Sequence, residues 1–330
     1  MSNENRNIKL DKKIENAYIN SFSGIEGEVY YLMLIGSKIL LSNKASRKID
    51  IDIDRLFDEF VYFKYYSKMS RTYLLNFFMP LIFVSRGFEN FCMQTVDMAD
   101  KLCRFYGIEN KKYEYVIDVF CYDKIIRSLI SEKKDILEIL NDIKEGLIEI
   151  NPYQLNKSEN VRFQMVKIKY IETLHRIIDN YEIEKSNCVY ETEIPILYLL
   201  QCSFGYEYDE EKINNSGEKS VFNLISILLD SEKNHIEKDN IKYYNFVNAM
   251  AEYILKLRYA EIDSKKYNLK SSPRKFINME AGDEFIDPIL NKAQIISKEI
   301  IKEDGISKYF IQVSTKTGIY EFKYNIVAQN

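Results

Sequence analysis

The sequence predicts a mainly α-helical protein: a compact multi-helix domain with a small C-terminal α/β-hairpin appendage. Apolar residues recur at intervals of three and four from about residue 10 to 260, the spacing of one helix face. Only 11 glycines and 5 prolines occur in 330 residues, which favours long helices over many hairpins. After Gly305 the apolar residues alternate with polar ones, which is typical of strands.

The helices are predicted from these apolar intervals, and the loops from clusters of Asn, Gly, Ser and Pro. We divide the chain into a flexible N-terminus at 1–11, a helical domain at 12–260, and an extension at 261–330 made of a linker, a helix and a β-hairpin. The predicted helices cover residues 10–22, 28–42, 53–67, 89–106, 111–131, 134–149, 161–178, 193–203, 219–230 and 241–260, with loops near 44–52, 106–112, 150–158, 180–192 and 204–218.

Three of these segments show the helical spacing clearly. In each of them the apolar residues follow one another at three or four positions along a stripe. The stripes are Cys92, Val96, Ala99 and Cys103; Ile136, Leu140, Ile143 and Leu147; and Val161, Met165, Ile168, Ile171, Leu174 and Ile178.

The composition is that of a globular protein, with 46% hydrophobic and 29% charged residues. A net charge of −4 argues against a protein whose whole surface binds nucleic acid. The most apolar run, 72–85, is too short to cross a bilayer and contains Pro80, so we expect a buried helix pair or a kinked core helix, and no membrane partner. The five cysteines are widely spaced without a CxxC pair, and the start of the chain is polar, so we expect free thiols and a cytoplasmic location.

The C-terminal segment is predicted to form a helix over 288–302 and a hairpin over 309–324. One face of the hairpin is apolar, and a lone two-stranded ribbon cannot leave such a face in water. Either the protein's own helices or a partner must cover it. The residues proposed for partner contact are Tyr309, Ile311, Tyr320, Phe322 and Tyr324, with Val313 on the same face.

No nucleotide-binding glycine motif, nucleophile elbow or HExxH zinc motif occurs, and the chain has only two histidines, His175 and His235. Acid–base chemistry would therefore depend on carboxylates. Two charged clusters have both a functional and a structural interpretation. The first, Asp50, Asp52 and Asp54, is a metal cluster or a loop in which Asp54 caps the following helix. The second, 265–275, is a phosphate or RNA patch or a solvated linker, and contains Lys265, Lys266, Tyr267, Lys270, Arg274, Lys275 and, next to it, Phe276.

Several segments, in order, resemble the ADP-ribosylglycohydrolase family over about residues 12–260. The stretch LDKKIENAYINSFSGIEGE resembles its first helix and glycine turn, with Lys13, Ile14, Ala17, Ser21 and Gly24 in register. Pro80 and Leu81 match its R-x-x-P-L segment. The segments 190–203 and 217–225 (GEKSVFNLI) resemble its V-x-x-A-L-W and G-D-x-D-T-V-A-A-I segments.

The resemblance implies an all-α fold, and a family activity in which two magnesium ions help to cleave the glycosidic bond of ADP-ribose. Carboxylates of a D-D-T helix start and of the G-D-x-D-T segment hold these ions, as hard cations require. This chain departs from both: Ile25 follows Gly24, the D-D-T insert is missing, and Glu218, Lys219 and Ser220 follow Gly217. The candidates for a remaining ligand cleft are Glu26, Glu28, Glu218, Lys219 and Ser220.

These departures predict a catalytically inactive relative without metal or cofactor, whose role is to bind another macromolecule as inhibitor, regulator or scaffold. A protein partner or a second copy of the chain fits this role. One alternative is a diverged ADP-ribose binder or hydrolase that uses Glu28 and Glu218. The other is a helical nucleic-acid-associated protein that uses the basic segment 265–275.

Overall fold

A computed structural model describes residues 7–63, 69–152, 155–183, 185–213, 215–230, 237–263 and 272–326. The protein is mainly helical, with a small antiparallel sheet near the C-terminus, as the sequence predicts. The chain divides into two compact units, which are described separately. Unit 1 comprises residues 1–50 and 68–263, and unit 2 comprises residues 51–67 and 264–330.

Unit 1 contains ten helices and one two-stranded sheet among its described residues. The most apolar helix runs through Pro80 without a break, and its residues from 74 to 84 are all buried. The helices are α1 (Ile8–Asn20), α2 (Glu28–Lys38), α4 (Arg71–Val84), α5 (Phe88–Tyr106), α6 (Lys112–Ile130), α7 (Ile136–Glu149), α8 (Lys157–Glu182), α9 (Pro195–Ser203), α10 (Ser216–Leu229) and α11 (Tyr244–Arg258), and the strands are β1 (Leu40–Asn43) and β2 (Lys48–Ile51).

Two boundaries at the start of the chain differ from the prediction. Helix α1 begins at Ile8, where Asn7 accepts a hydrogen bond from the amide of Leu10, so residues 8–11 are helical and not a flexible terminus. The predicted helix 28–42 ends at Lys38, and a β-hairpin follows where we predict a loop. Ser42 and Lys44 of this hairpin are bonded to residues 262 and 263 after α11, a long-range contact that local periodicity does not show.

A buried ion pair connects three helices of unit 1. Nη2 of Arg71 on α4 lies 2.6 Å from Oδ1 of Asp118 on α6, and the hydroxyl of Tyr170 on α8 donates to the same oxygen at 2.8 Å. The Asp118 carboxylate is 1% exposed. A buried carboxylate is stable only if it is paired with a cation and hydrogen-bonded, as Asp118 is here. The ion pair and the Tyr170 hydrogen bond therefore fix the relative positions of the three helices.

Helix α8 buries a different face from the one we predict. The predicted stripe spans 17 residues in five steps, about 3.4 residues per step, which is fewer than the 3.6 of an α-helix, so the stripe drifts around the helix. Leu174 and Ile178 are buried, whereas Val161, Met165 and Ile168 are exposed. The two other predicted stripes are confirmed, with every member buried except the half-buried Cys92.

Unit 2 contains a four-stranded antiparallel sheet in the order β3 (Glu284–Asp287), β4 (Asn291–Glu303), β5 (Ile306–Thr315) and β6 (Gly318–Asn325). The predicted hairpin is confirmed as β5 and β6. The predicted helix 288–302 is wrong, because most of this segment is strand β4, paired on both sides with β3 and β5. Its isoleucines favour a strand, and the pairing outweighs a local pattern that also fits a helix.

Helix α3 (Ile53–Phe63) belongs to unit 2, although we predict it to lie in the helical domain. The hydroxyl of Tyr62 donates to Oδ2 of Asp287 at 2.9 Å, and the Tyr62 and Phe322 rings lie 6.2 Å apart. The cap of α3 is also corrected: Asp52, not Asp54, accepts a hydrogen bond from the amide of Arg55, at 3.1 Å. Helix α3 therefore packs against the sheet of unit 2, although the segments before and after it in the sequence belong to unit 1.

Candidate functional site

The two segments that resemble the metal-binding motifs meet in unit 1. Gly24 follows α1 with a φ of 64°, a left-handed conformation that favours glycine, and its amide donates to the carbonyl of Asn240 at 2.8 Å. A Cβ atom at Gly24 would lie 2.7 Å from Nζ of Lys219. The ammonium group of Lys219, from the first turn of α10, therefore rests against the turn that follows α1.

The start of α10 packs tightly against the start of α4. A Cβ atom at Gly217 would lie 2.7 Å from Oγ1 of Thr72 and 2.7 Å from Cδ1 of Tyr73. Nδ2 of Asn76 donates to the carbonyl of Gly217 at 2.9 Å, which holds the two helices together. Only glycine fits at this position, and the close approach places the next residue, Glu218, beside Tyr73.

The charges of Glu28 and Glu218 both act on the same tyrosine. Burial raises the pKa of Tyr73, and the charges of Glu28 and Glu218 raise it further. Burial also raises the pKa of Tyr106, with a smaller contribution from Glu28. Glu28 comes from the first turn of α2 and Glu218 from the first turn of α10, so two helix starts bring two carboxylates to one phenol.

The protonation of Glu218 is shifted by its position. Burial raises the pKa of its carboxyl group, and a hydrogen bond with Asn215 acts in the opposite direction. A carboxyl group that holds its proton more tightly can donate it, which is the requirement for a general acid. The described residues contain no group of three or more His, Cys, Asp or Glu side chains that could hold a metal ion.

The other two cleft candidates lie apart from this arrangement. Glu26 is exposed, and its carboxylate lies 4.0 Å from Nζ of Lys242. Ser220 is fully buried, and its hydroxyl points to the sulfur of Met33 at 3.3 Å. The structure therefore places Gly217 against Tyr73 and Lys219 against Gly24, and the charges of Glu28 and Glu218 act on Tyr73, whereas Glu26 and Ser220 lie outside this arrangement.

The apolar face of the hairpin is covered within unit 2. Strand register pairs Tyr309 with Tyr324, Ile311 with Phe322 and Val313 with Tyr320, which confirms that these residues share one face. Ile311, Tyr320 and Phe322 are buried, and the Phe276 ring lies 5.0 Å from that of Phe322. Ile311, Tyr320 and Phe322, three of the residues proposed for partner contact, are therefore covered by the protein itself. Tyr309 and Tyr324 are half-buried.

The basic segment 265–275 is only partly described, because Lys265, Lys266, Tyr267 and Lys270 lie outside the described residues. Lys275 is paired: its Nζ lies 2.5 Å from Oδ2 of Asp287 and faces the Phe285 ring at 5.5 Å. Arg274 is exposed. Of the basic side chains that the structure shows here, Lys275 is thus engaged within unit 2.

Comparisons with protein-family models, with curated proteins and with solved structures find no match. In the described part of the chain, no helix is both long enough and apolar enough to span a membrane.

Proposed function

We propose that this chain is an ADP-ribosylglycohydrolase-like protein that does not hydrolyse and that acts by binding another protein. The observation that carries the first part is the position of Lys219. In the resembled family, carboxylates of a D-D-T helix start and of the G-D-x-D-T segment hold the magnesium ions. Here the D-D-T insert is missing, and Lys219 follows Glu218 in the second segment, with its ammonium against Gly24. A fixed cation next to the remaining carboxylate repels a dication.

Magnesium binding distinguishes the inactive protein that we propose from an active hydrolase. We expect almost no shift of the melting temperature at millimolar magnesium, because an ion stabilises a protein only if it binds the native state. Lys219→Asp adds a carboxylate beside Glu218 and removes the competing cation, so we expect this variant to gain a magnesium-dependent rise. A rise in the wild type that disappears in Glu218→Gln would contradict the proposal.

The alternative of a diverged ADP-ribose binder or hydrolase has one supporting observation, the convergence of Glu28 and Glu218 on Tyr73. Turnover of an ADP-ribosylated peptide that is lost in both Glu28→Gln and Glu218→Gln would establish it. Tyr73→Phe keeps the ring and its packing, and it would separate a role of the hydroxyl group from a structural one. The proposal predicts no turnover by the wild type.

The binding surface that we propose lies on α8. Val161, Met165 and Ile168 are 55%, 67% and 54% exposed and follow one another at the helical spacing of four and three residues. Nζ of Lys167, on the buried face of α8, donates to the carbonyls of Ile148 and Ile150, so the end of α7 packs against α8, and Ile148 is itself exposed. Neighbouring exposed apolar side chains of this kind are typical of interaction sites.

Charge identifies the class of partner. Between residues 157 and 176 the exposed charged side chains of α8 are four cations and one carboxylate. Two copies of the chain that met at this stripe would place these cations close together, which is unfavourable. We therefore assign the stripe to the apolar face of a helix in another protein, bordered by acidic residues. The cations are Lys157, Arg162, Lys169 and Arg176, and the carboxylate is Glu172.

A pair of synthetic helical peptides tests this assignment. Both carry leucines at the i, i+4 and i+7 positions, one with flanking glutamates and one with flanking lysines. The wild type should bind the glutamate peptide more tightly, and Met165→Glu should weaken that binding by about tenfold or more, since it buries a charge in the contact. The control Ile183→Glu changes an exposed isoleucine outside the stripe and should leave binding unchanged.

Two results would contradict this part of the proposal. One is equal binding of the two peptides, since charge would then not select the partner. The other is a wild-type dimer in analytical ultracentrifugation that Met165→Glu dissociates, because the stripe would then hold a second copy of the chain.

A further inference from the structure

A cavity of about 310 Å³ lies in unit 1, away from the residues assigned above. Three separate segments form it: the turn and strand around β2, the connection from α4 to α5, and the end of α11. Gln94 of α5 donates to the carbonyl of Ile49, and Tyr253 of α11 donates to the carbonyl of Leu40 at 3.2 Å, so these segments are tied together. The lining residues are Arg47, Lys48, Ile49, Val84, Ser85, Arg86, Gly87, Met93 and Arg258.

The lining is cationic. Four of its nine described residues are arginine or lysine, and none is acidic. The Arg86 guanidinium lies over the Tyr259 ring at 4.8 Å, and Arg258 donates to the carbonyl of Phe83. The two arginines are therefore held by an aromatic ring and a carbonyl group, which fix their positions without neutralising their charges.

Arg258 is half-buried, whereas the other three cations of the lining are exposed. Burial lowers the pKa of its guanidinium; Tyr259 acts in the opposite direction, and the positive charges of Arg86 and Arg127 lower the pKa. Arg127 is itself paired with Asp123, with Nε 2.8 Å from Oδ1. A half-buried cation among like charges is stabilised by an anion from outside the chain.

The start of helix α5 lies at the same cavity. Helix α5 begins directly after Gly87, a lining residue that provides no side-chain cap, so the first amides of a 19-residue helix lack that partner. Amides at a helix start bind phosphate oxygens. Ser85 also lines the cavity, but its hydroxyl oxygen is buried and has no hydrogen-bond partner among the described residues.

We propose that this cavity binds the diphosphate group of a small phosphorylated molecule. The volume is at the lower end of small-molecule sites, which are roughly 300 to 1,000 Å³. One phosphate group carries about −1.5 to −2 charges at neutral pH, fewer than the cations present, so two linked phosphates match the lining better. Ile49, Val84 and Met93 offer apolar contact to the rest of the ligand. The proposed function does not depend on this site.

Calorimetric titration with inorganic pyrophosphate at constant ionic strength tests the site. The wild type should bind one equivalent. Arg258→Met should weaken binding by about tenfold or more, because a charge-assisted hydrogen bond is lost. Lys256→Ala is the matched control: this exposed lysine lies on the same helix but does not line the cavity, and its loss should leave binding unchanged. Arg86→Ala, at an exposed position, is a second test if Arg258→Met does not fold.

Three results would overturn the site itself. They are no pyrophosphate binding by the wild type, equal weakening by Lys256→Ala and Arg258→Met, which would indicate diffuse charge, and inorganic phosphate binding as tightly as pyrophosphate. A single-stranded oligonucleotide that displaces pyrophosphate at lower concentration than pyrophosphate itself binds would overturn the assignment to a small molecule.

Discussion

Arg71 and Arg258 are both half-buried arginines of unit 1, but their surroundings are opposite. Arg71 forms two bonds to the Asp118 carboxylate and a third to the carbonyl of Glu193. Although burial disfavours its charge, Asp118 raises the pKa of Arg71. Arg258 donates to the carbonyl of Phe83; burial lowers its pKa, Tyr259 acts in the opposite direction, and the like charges of Arg86 and Arg127 lower it. One arginine stabilises the fold, and the other is held in a cavity without a carboxylate.

This difference separates structural charges from charges available to a ligand. The Glu28 and Glu218 region attracts attention in the sequence because it resembles a metal site, yet the structure places Lys219 against its glycine turn. The cavity around Arg258 corresponds to no motif, yet four of its lining residues are cationic and none is acidic. We therefore propose the ligand site at these cations and not at the conspicuous carboxylates.

The largest predicted effect is the difference in the free energy of unfolding between Arg71→Met and Arg258→Met. Arg71→Met leaves the Asp118 carboxylate buried without its cation, and should lower the free energy of unfolding by about 3–5 kcal/mol. Arg258→Met removes a cation that has no carboxylate partner, and should change it by less than about 1 kcal/mol. Urea denaturation followed by circular dichroism measures both values. Equal losses would show that the comparison is wrong.

The contact between Gly24 and Lys219 should give an intermediate effect. Gly24→Ala places a side chain in a left-handed conformation and should lower the free energy of unfolding by about 1–2 kcal/mol. Lys219→Met should change it by less than about 0.5 kcal/mol, because the exposed ammonium is solvated and needs no counter-ion. A loss above 1 kcal/mol in Lys219→Met would mean that this lysine, unlike Arg258, is part of the stabilising framework.

The smallest effect concerns the pH dependence of Glu218. Its pKa in the folded chain is raised above the ordinary 4.5, so the native state holds the proton more tightly than the unfolded state. The resulting stabilisation is complete below about pH 4.5 and is lost as the pH rises through the raised pKa. Glu218→Gln cannot titrate, so its stability relative to the wild type should increase from pH 4.5 to pH 7.

We expect that increase to be on the order of a few tenths of a kcal/mol, because solvent screens a half-exposed carboxylate. Chemical denaturation of both proteins at the two pH values measures it. A relative stability that decreases over this range would mean that the native environment of Glu218 favours the ionised form.

Most helices could be predicted from the sequence, because an apolar spacing of about 3.6 residues indicates a helix with one buried face. In α8 the helix was predicted but its buried face was not, since part of the apolar stripe is exposed. The strand β4 could not, since the segment 291–303 fits both periodicities and only its pairing with β3 and β5 decides. The same holds for α3, whose apolar face is evident but whose neighbour, the C-terminal sheet, is remote in sequence.

The candidate sites divide in the same way. Gly24, Gly217 and Glu218 were found because they belong to short local motifs that the sequence retains. Arg258 and the other cavity residues were missed, because three distant segments supply one or a few of them each. Ser85 gives no signal in the sequence at all, since its significance is that a buried hydroxyl lacks a partner in the fold.

The most direct test of the account compares two calorimetric titrations of the wild-type protein, one with magnesium and one with inorganic pyrophosphate in magnesium-free buffer. We predict saturable binding of one pyrophosphate and no binding of magnesium at millimolar concentration. Magnesium binding in the absence of pyrophosphate binding would contradict the account, because the carboxylates near Tyr73, and not the cations around Arg258, would then be the ligand site.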